Sequence, residues 1–431
     1  MSTSKDSEIY DCIVVGSGTA GAVIARELSR SGQKVLILER GPYIPLKETL
    51  WTLGSMFNEV PVADKLKDAR VYAAGGSSAM FMAVMDEPPI EAYRALGIDL
   101  QPAYDVMRLQ VPLAQMADEL MSPQAHKVRE AALALGYDWQ KKLMLVDQSK
   151  CSGVYSYEAK WKALSLVDEA VSLGAVLKCQ ALTERVLIEN GRAVGVECRI
   201  KKEAVRFRAQ RVVVCAGSLA TPVLLRGSGL QHVAAGGYFI DPAFTLFGRV
   251  PGLRGVDSFC GTMETTLEDG IVLKDANVHR LPFRMFMLQY MQIARMFAYP
   301  ESIGVTVMAH DEVGGGLSAD GRYNKTLDAA VFDKLERGEK AARAILERAG
   351  ARDIFKAPMF SGGALGTLRV GSDVDARLET SVRDLYVCDG SLIPHNGRVA
   401  PTLTLLCLAK YLADLLTQTH RSPVEAQAVP A

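Results

Sequence analysis

The sequence has no Cys-x-x-Cys pair, no surplus of either charge and no run of about 18 uncharged apolar residues, and each absence removes a class of protein. Its eight cysteines stand at positions 12, 151, 179, 198, 215, 260, 388 and 407, several of them inside apolar, strand-like runs where a thiol acts as a small hydrophobe. A zinc site or disulfide framework is therefore not expected, and a reducing, cytoplasmic setting is. Lysine plus arginine (49) equals aspartate plus glutamate (49), which leaves no basic footprint for nucleic acid and no acidic tail. The polar start MSTSKDSEIYD runs straight into an apolar strand, so no signal peptide is read there. Histidine is scarce, with six in the chain, which narrows the choice of a proton-accepting imidazole.

The nearest approach to a membrane segment is LPFRMFMLQYMQIARMFAYP, residues 281–300. Read as a helix, it places Arg284, Gln289, Gln292 and Arg295 on one arc and leaves a broad Met and Phe face. Such a face packs on a core, walls an apolar channel or touches a membrane surface. Peripheral membrane contact stays open; a transmembrane segment does not.

What is present points to a nucleotide. With 431 residues, 49% hydrophobic and 23% charged, the chain is expected to form two domains or one domain carrying an insertion. DCIVVGSGTAGAVIARELSRSGQKVLILERG reads as a strand (Cys12–Val15), a glycine turn, an amphipathic helix to about Ser31 and a second strand (Val35–Leu38) ending on Glu39. Gly16, Gly18 and Gly21 form Gly-x-Gly-x-x-Gly between strand and helix. In that context the first glycine permits the turn, the second lets backbone approach a pyrophosphate, and the third lets helix and strand pack closely. The N–H groups at Thr19 and Ala20 and the positive end of the helix dipole then face the phosphates. Glu39 can accept hydrogen bonds from ribose hydroxyls.

RVYAAGGSSAMF (70–81) is a second glycine-serine cluster suited to close backbone approach. Residues 184–225 read as a β-meander, with a tight turn at Asn190-Gly191, a polar one at Lys201-Lys202-Glu203 and a buried strand at Val212–Cys215. TLDAAVFDKLERGEKAARAILERAGA reads as a long amphipathic helix ended by Gly350. Near the C-terminus, a buried strand (Leu385–Cys388) and a buried helix (Leu403–Leu416) are joined by a loop holding Asp389, His395, Asn396 and Arg398. Such a loop is either a solvated connection or faces a bound polar molecule. Strand–helix–strand units at both ends imply one doubly wound α/β nucleotide-binding domain, discontinuous in sequence, with an α+β domain inserted.

Four stretches, in order, resemble the glucose–methanol–choline family of flavoenzymes: VGSGTAGAVIARELSRSGQKVLILERG, GGSSA at 75–79, VVVCAGSLATPVLL at 212–225 and GTLRVG…LYVCDGSLIP at 366–394. The resemblance implies a Rossmann-like FAD-binding domain from residues 1–90, 178–235 and 366–431, with 91–177 and 236–365 forming the substrate domain. Two glycine-rich approaches and a C-terminal Asp loop also suit an elongated dinucleotide carrying a flavin. The residues implied to hold FAD are Gly16, Gly18, Thr19, Ala20, Gly21, Glu39, Arg40, Gly75, Gly76, Ser77, Ser78, Val186, Ala216 and Gly217. Asp389 and Gly390 are implied near the ribityl phosphate, with Pro401 and Thr402 opening a helix aimed at the pyrimidine edge of the ring. The positive end of that helix would stabilise negative charge on a reduced flavin.

The chain departs from the family where alcohols are oxidised. The family's His-Pro-x-Gly-Thr reads GALGT (363–367) here, and its Asn-Pro-x-x-Thr reads APTLT (400–404). Gly363 and Ala400 thus replace the proton-handling His and Asn, and Phe81 replaces the Asn that follows the glycine-serine cluster. His395, with Asn396 beside it, is the one histidine that the motifs place near the flavin; it reads as a relocated base, a cofactor contact or a surface histidine. His310, after the Val305–Ala309 strand, reads as substrate-facing or as a satisfied hairpin residue. The expected activity is FAD-dependent hydride removal from an apolar organic substrate, an alcohol by default, with an unknown electron acceptor. The alternatives are desaturation, isomerisation or decarboxylation of a fatty-acid-like substrate, or a flavoprotein without catalysis.

Overall fold

The computed structural model describes residues 8–44, 47–49, 54, 57–151, 153–395 and 400–420. The Ile9–Val15 strand lies centrally in a seven-stranded sheet, paired in parallel with Val35–Leu38 on one edge and with the second half of Glu203–Val214 on the other. Val176–Lys178 extends the first side and Leu385–Val387 the second, both in parallel. These strands read as unbroken apolar runs because neighbours cover both faces: Ile13, Val14, Leu36, Ile37, Val212, Val213, Leu385 and Val387 have no exposed surface. The first half of Glu203–Val214 closes the antiparallel meander with Arg192–Ile200 and Ala181–Glu189. Its turns fall at Asn190-Gly191 and Lys201-Lys202, where all four residues have positive φ, the backbone that tight two-residue hairpins require.

The helices Thr19–Arg30 and Thr402–His420 pack together on this sheet, with Leu164–Ser172 and Gln101–Gln110 alongside. Val23, Ile24 and Leu28 from the first and Leu403, Leu406 and Leu412 from the last are fully buried there. The chain's two ends thus form one core.

A second seven-stranded sheet is antiparallel throughout and includes Pro242–Arg249, Ser302–Ala309, Ile271–Asp275 and Met263–Leu267. One face carries Phe244, Leu246, Leu273, Ile303, Val305 and Val307, buried beneath Val331, Leu335, Ala342 and Ile345 of the Ala329–Arg348 helix. The other face alternates with it, and there Thr306, Met308, Lys274 and Glu264 are only partly covered. This period-two pattern gives the second sheet one dry side and one side that carries the partly covered polar residues.

Residues 281–300 do not form the single helix that their periodicity suggests. The helix spans Arg280–Gln289 and stops before Met291, whose φ is 57°, and two short 3₁₀ turns follow. Phe283 and Met287 fill a small core with Phe247, Val278 and Tyr299, so they serve packing. Leu288 (54%), Met291 (76%), Ile293 (53%) and Phe297 (78%) face outward. No helix among the described residues is long and apolar enough to cross a membrane. All eight thiols are free.

Candidate active site

The first glycine turn is built by contacts that exclude side chains. A Cβ on Gly21 would lie 2.0 Å from the Gly16 carbonyl oxygen, and one on Gly16 would lie 2.3 Å from the Cys215 oxygen. Gly18 differs: nothing stands within 4 Å of the place its Cβ would take. The Thr19–Arg30 helix begins there with no side chain capping its first N–H groups. An uncapped helix end over a side-chain-free cradle fits a pyrophosphate. Gly76 approaches from the second cluster, where a Cβ would come within 2.9 Å of the Gly18 Cα.

Glu39 ties the two clusters together. Its carboxylate accepts from the Ser17 hydroxyl (2.6 Å), the Ser17 N–H (3.1 Å) and the Gly41 N–H (2.7 Å), and the Ser17 hydroxyl in turn accepts from the Gly75 N–H (3.2 Å). Burial pushes the Glu39 carboxyl up while these donors pull it down. Three donors leave part of the carboxylate's acceptor capacity for a ribose hydroxyl. Ser78 turns inward, donating to the Gly75 carbonyl (2.6 Å) and accepting from the Ala163 N–H (2.9 Å), whereas Ser77 is exposed. Arg40 stacks on Tyr72 with its guanidinium 4.0 Å from the ring centre. The Val186 N–H is already donated to Ser228 (2.8 Å).

The C-terminal loop joins the same site through Asp389. This buried carboxylate accepts from the Gly217 N–H (2.9 Å), the Ser391 N–H (2.9 Å) and the Thr221 hydroxyl. Ala216-Gly217 and Asp389-Gly390, far apart in sequence, thereby become neighbours. The Gly366 N–H donates to the Gly390 carbonyl (3.0 Å), which brings the GALGT stretch against them.

At the departed positions, Gly363 has φ 132° and empty space where its Cβ would be. A histidine fits sterically but in a backbone conformation that L residues avoid. Gly363→His with Ala400→Asn should therefore melt earlier than Ala400→Asn alone, by about 1–3 kcal/mol of stability; thermal unfolding of the two variants checks this. The Ala400 N–H donates to Asp86 Oδ2 (2.8 Å). Asp86 also pairs with Lys142, whose Nζ lies 2.7 Å from Glu264, and Glu264 meets Lys274 at 3.2 Å. The two carboxylates hold the Lys142 ammonium above its ordinary range against the opposing effect of burial. Nothing local in the sequence marked this network, since its members come from four distant segments.

His395 Nε2 stands 3.2 Å from the Asp311 carbonyl and 3.7 Å from a Glu312 carboxylate oxygen, and its ring meets Phe239 edge-on. Asn396 lies outside the described residues, as does Arg398. His310 is held by Asp241, Nδ1 to Oδ1 at 3.1 Å, and its ring packs over Gly270. A cluster that the sequence analysis missed sits beyond Phe81: Glu48 accepts from Tyr155 (2.8 Å), lies 2.6 Å from His279 Nε2, and neighbours Lys160. The described residues contain no group of acids, histidines and cysteines able to hold a metal ion.

Residues 10–238 match the GMC oxidoreductase family. An uncharacterised GMC-type oxidoreductase of Mycobacterium tuberculosis is 27% identical, covering 94% of this chain and 75% of the relative. A long-chain-alcohol oxidase of Arabidopsis thaliana is 24% identical over 94% of this chain and 68% of its own length. A chloroplastic fatty acid photodecarboxylase of Chlamydomonas reinhardtii is 27% identical over 53% of this chain and 45% of the relative. Among solved structures, a pyridoxine 4-oxidase from Mesorbium loti superposes with a TM-score of 0.72 at 16% identity, covering 96% of this chain and 100% of that one. The match spans more than half of the chain and includes the helix end that the glycine cradle leaves bare, so the protein belongs to the GMC oxidoreductase family and is an FAD-dependent oxidoreductase.

Proposed function

We propose that this enzyme removes hydride from a hydrophobic organic substrate, an alcohol by default, with His395 as the proton acceptor. The observation that carries the reading is the loss of every polar side chain at three positions: Phe81, Gly363 and Ala400. A pocket so lined gains affinity from apolar contact area, about 25 cal/mol per Å² before the costs of binding. The long-chain-alcohol oxidase among the relatives supports the alcohol default. Bound FAD supplies the acceptor for the hydride. The chain's part is to orient the substrate, exclude water and take the hydroxyl proton. At His395, the 3.2 Å contact between Nε2 and the Asp311 carbonyl would orient the ring. The nearby Glu312 carboxylate would stabilise the imidazolium that forms. The cradle residues from Gly16 to Gly21, with Glu39, Asp389 and the start of the Thr402–His420 helix, would hold the cofactor.

The test is anaerobic mixing with a substrate panel while flavin absorbance is followed. Long-chain or aromatic alcohols should bleach the flavin; bleaching by sugars or choline alone would sink the reading. Decarboxylation or desaturation of a fatty-acid-like substrate is the second reading, supported by the photodecarboxylase relative and by a buried lysine taken up below.

Delivery of a hydrophobic substrate accounts for the exposed Leu288, Met291, Ile293 and Phe297. Residues 276–300 carry Arg280, Arg284 and Arg295 and no acidic residue, so the patch suits an anionic lipid surface. The protein should float with vesicles containing phosphatidylserine and not with purely zwitterionic ones. Met291→Glu with Phe297→Glu should abolish flotation. Equal flotation of that variant would remove the patch from the account. Eight free thiols favour a reducing compartment.

A further inference from the structure

Among the described residues two lysines are buried, Lys160 and Lys325, and they differ in their partners, as do the half-buried Lys142, Lys162 and Lys410. Lys325 lies 2.6 Å from Asp311 and donates to the Tyr238 carbonyl (2.7 Å). Lys142 sits between Asp86 and Glu264. Lys162 donates to the carbonyls of Tyr157 (2.5 Å) and Lys160 (2.9 Å). Lys410 bridges Glu27 (3.2 Å) and Asp414 (2.6 Å). Lys160 is 8% exposed, and among the described residues its ammonium has neither a hydrogen-bond acceptor nor a carboxylate at ion-pair distance. Two rings approach it instead, Tyr157 at 5.2 Å and Phe81 at 5.9 Å from Nζ to the ring centres.

The nearby acid, Glu48, acts on it only from beyond ion-pair distance. Glu48 accepts from the Tyr155 hydroxyl at 2.8 and 3.0 Å and faces His279 at 2.6 Å. A buried cation without a contact ion pair is costly, and the more distant Glu48 carboxylate and the aromatic faces offset only part of that cost. An anion supplied by a ligand would remove it. The place is telling: the Tyr157 hydroxyl donates to the Ala79 carbonyl (3.0 Å), so the lysine leans on the glycine-serine loop that ends at Phe81, one of the three departed positions.

We propose that Lys160 docks a carboxylate carried by the substrate, with Phe81 and Tyr157 covering the adjoining apolar chain. The proposal deepens the hydrophobic-substrate reading by giving that substrate an acidic end. Burial lowers the Lys160 ammonium to about 8, so it is charged at neutral pH and loses its charge as pH rises through that value. Carboxylate affinity should therefore hold below pH 8 and fall about tenfold per pH unit above it.

The experiment is calorimetric titration of the holoenzyme with decanoate and with decanol, for wild type, Lys160→Met and Lys160→Arg. Loss of one member of a buried charge pair predicts decanoate binding weakened at least about 100-fold in Lys160→Met. Lys160→Arg should stay within about tenfold, and decanol affinity should change less than threefold. Decanoate affinity unchanged in Lys160→Met overturns the proposal. So does loss of FAD from a Lys160→Met protein with native circular dichroism, which would make the lysine a cofactor group. If Lys160→Met does not fold, the wild-type pH dependence decides: decanoate binding that stays flat from pH 7 to 10 overturns the proposal, and the expected fall supports it. Binding of acetate in a Lys160-dependent way, without binding of decanoate or decanol, would leave the docking group standing and overturn the hydrophobic substrate instead.

Discussion

Gly18→Leu is expected to yield a folded, colourless protein. The cradle gives the reason. A Cβ at position 18 meets nothing within 4 Å, so the chain accommodates the side chain, which would then occupy the space beneath the helix end that we propose holds the pyrophosphate. FAD content, measured as flavin released per chain, should fall from about one to near zero while circular dichroism and solubility persist. Gly21→Leu provides the contrast, because its Cβ would stand 2.0 Å from a backbone oxygen. No rotamer relieves a clash with backbone, so that variant should fail to fold or lose several kcal/mol. Stoichiometric FAD in purified Gly18→Leu would sink the cradle as the phosphate site.

His395→Ala is expected to slow anaerobic flavin reduction by an alcohol at least about 100-fold while leaving FAD bound, since a positioned base contributes about 10²–10⁴-fold. The orienting contact is the Asp311 carbonyl, 3.2 Å from Nε2, so His395→Gln should restore little: an amide keeps a hydrogen bond but takes no proton. The pH profile of the reduction rate should lose the step that the histidine contributes. Stopped-flow absorbance measures both. A loss below about threefold would take the base away from His395 and favour chemistry without a hydroxyl proton, such as decarboxylation, to which a carboxylate docked on Lys160 would be suited. The two outcomes therefore separate the alcohol and acid readings.

What the sequence determined by itself is the local geometry whose causes are local. Apolar runs bounded by glycine fold as buried strands, and Gly-x-Gly-x-x-Gly between a strand and a helix closes one way because any Cβ at Gly16 or Gly21 would strike backbone. The Asn190-Gly191 turn, the meander and the Ala329–Arg348 helix were legible for the same reason: period and turn chemistry act over a few residues. The resemblance to the family motifs also singled out Phe81, Gly363 and Ala400 as positions where this chain is expected to depart from the family.

Only the tertiary structure decided what surrounds those changes. The break at Met291 in the expected 281–300 helix depends on Phe283, Met287 and Tyr299 packing into one small core with Phe247, a demand that helical periodicity does not encode. Asp86 reaches the Ala400 N–H across 314 residues of chain. Lys160 and Lys162 look alike in the sequence, yet Lys162 donates to two carbonyls and Lys160 faces two rings, with no carboxylate at ion-pair distance among the described residues. Whether a buried charge has a contact partner is settled by which distant segments the packing brings within about 4 Å, and desolvation makes that distance costly or favourable.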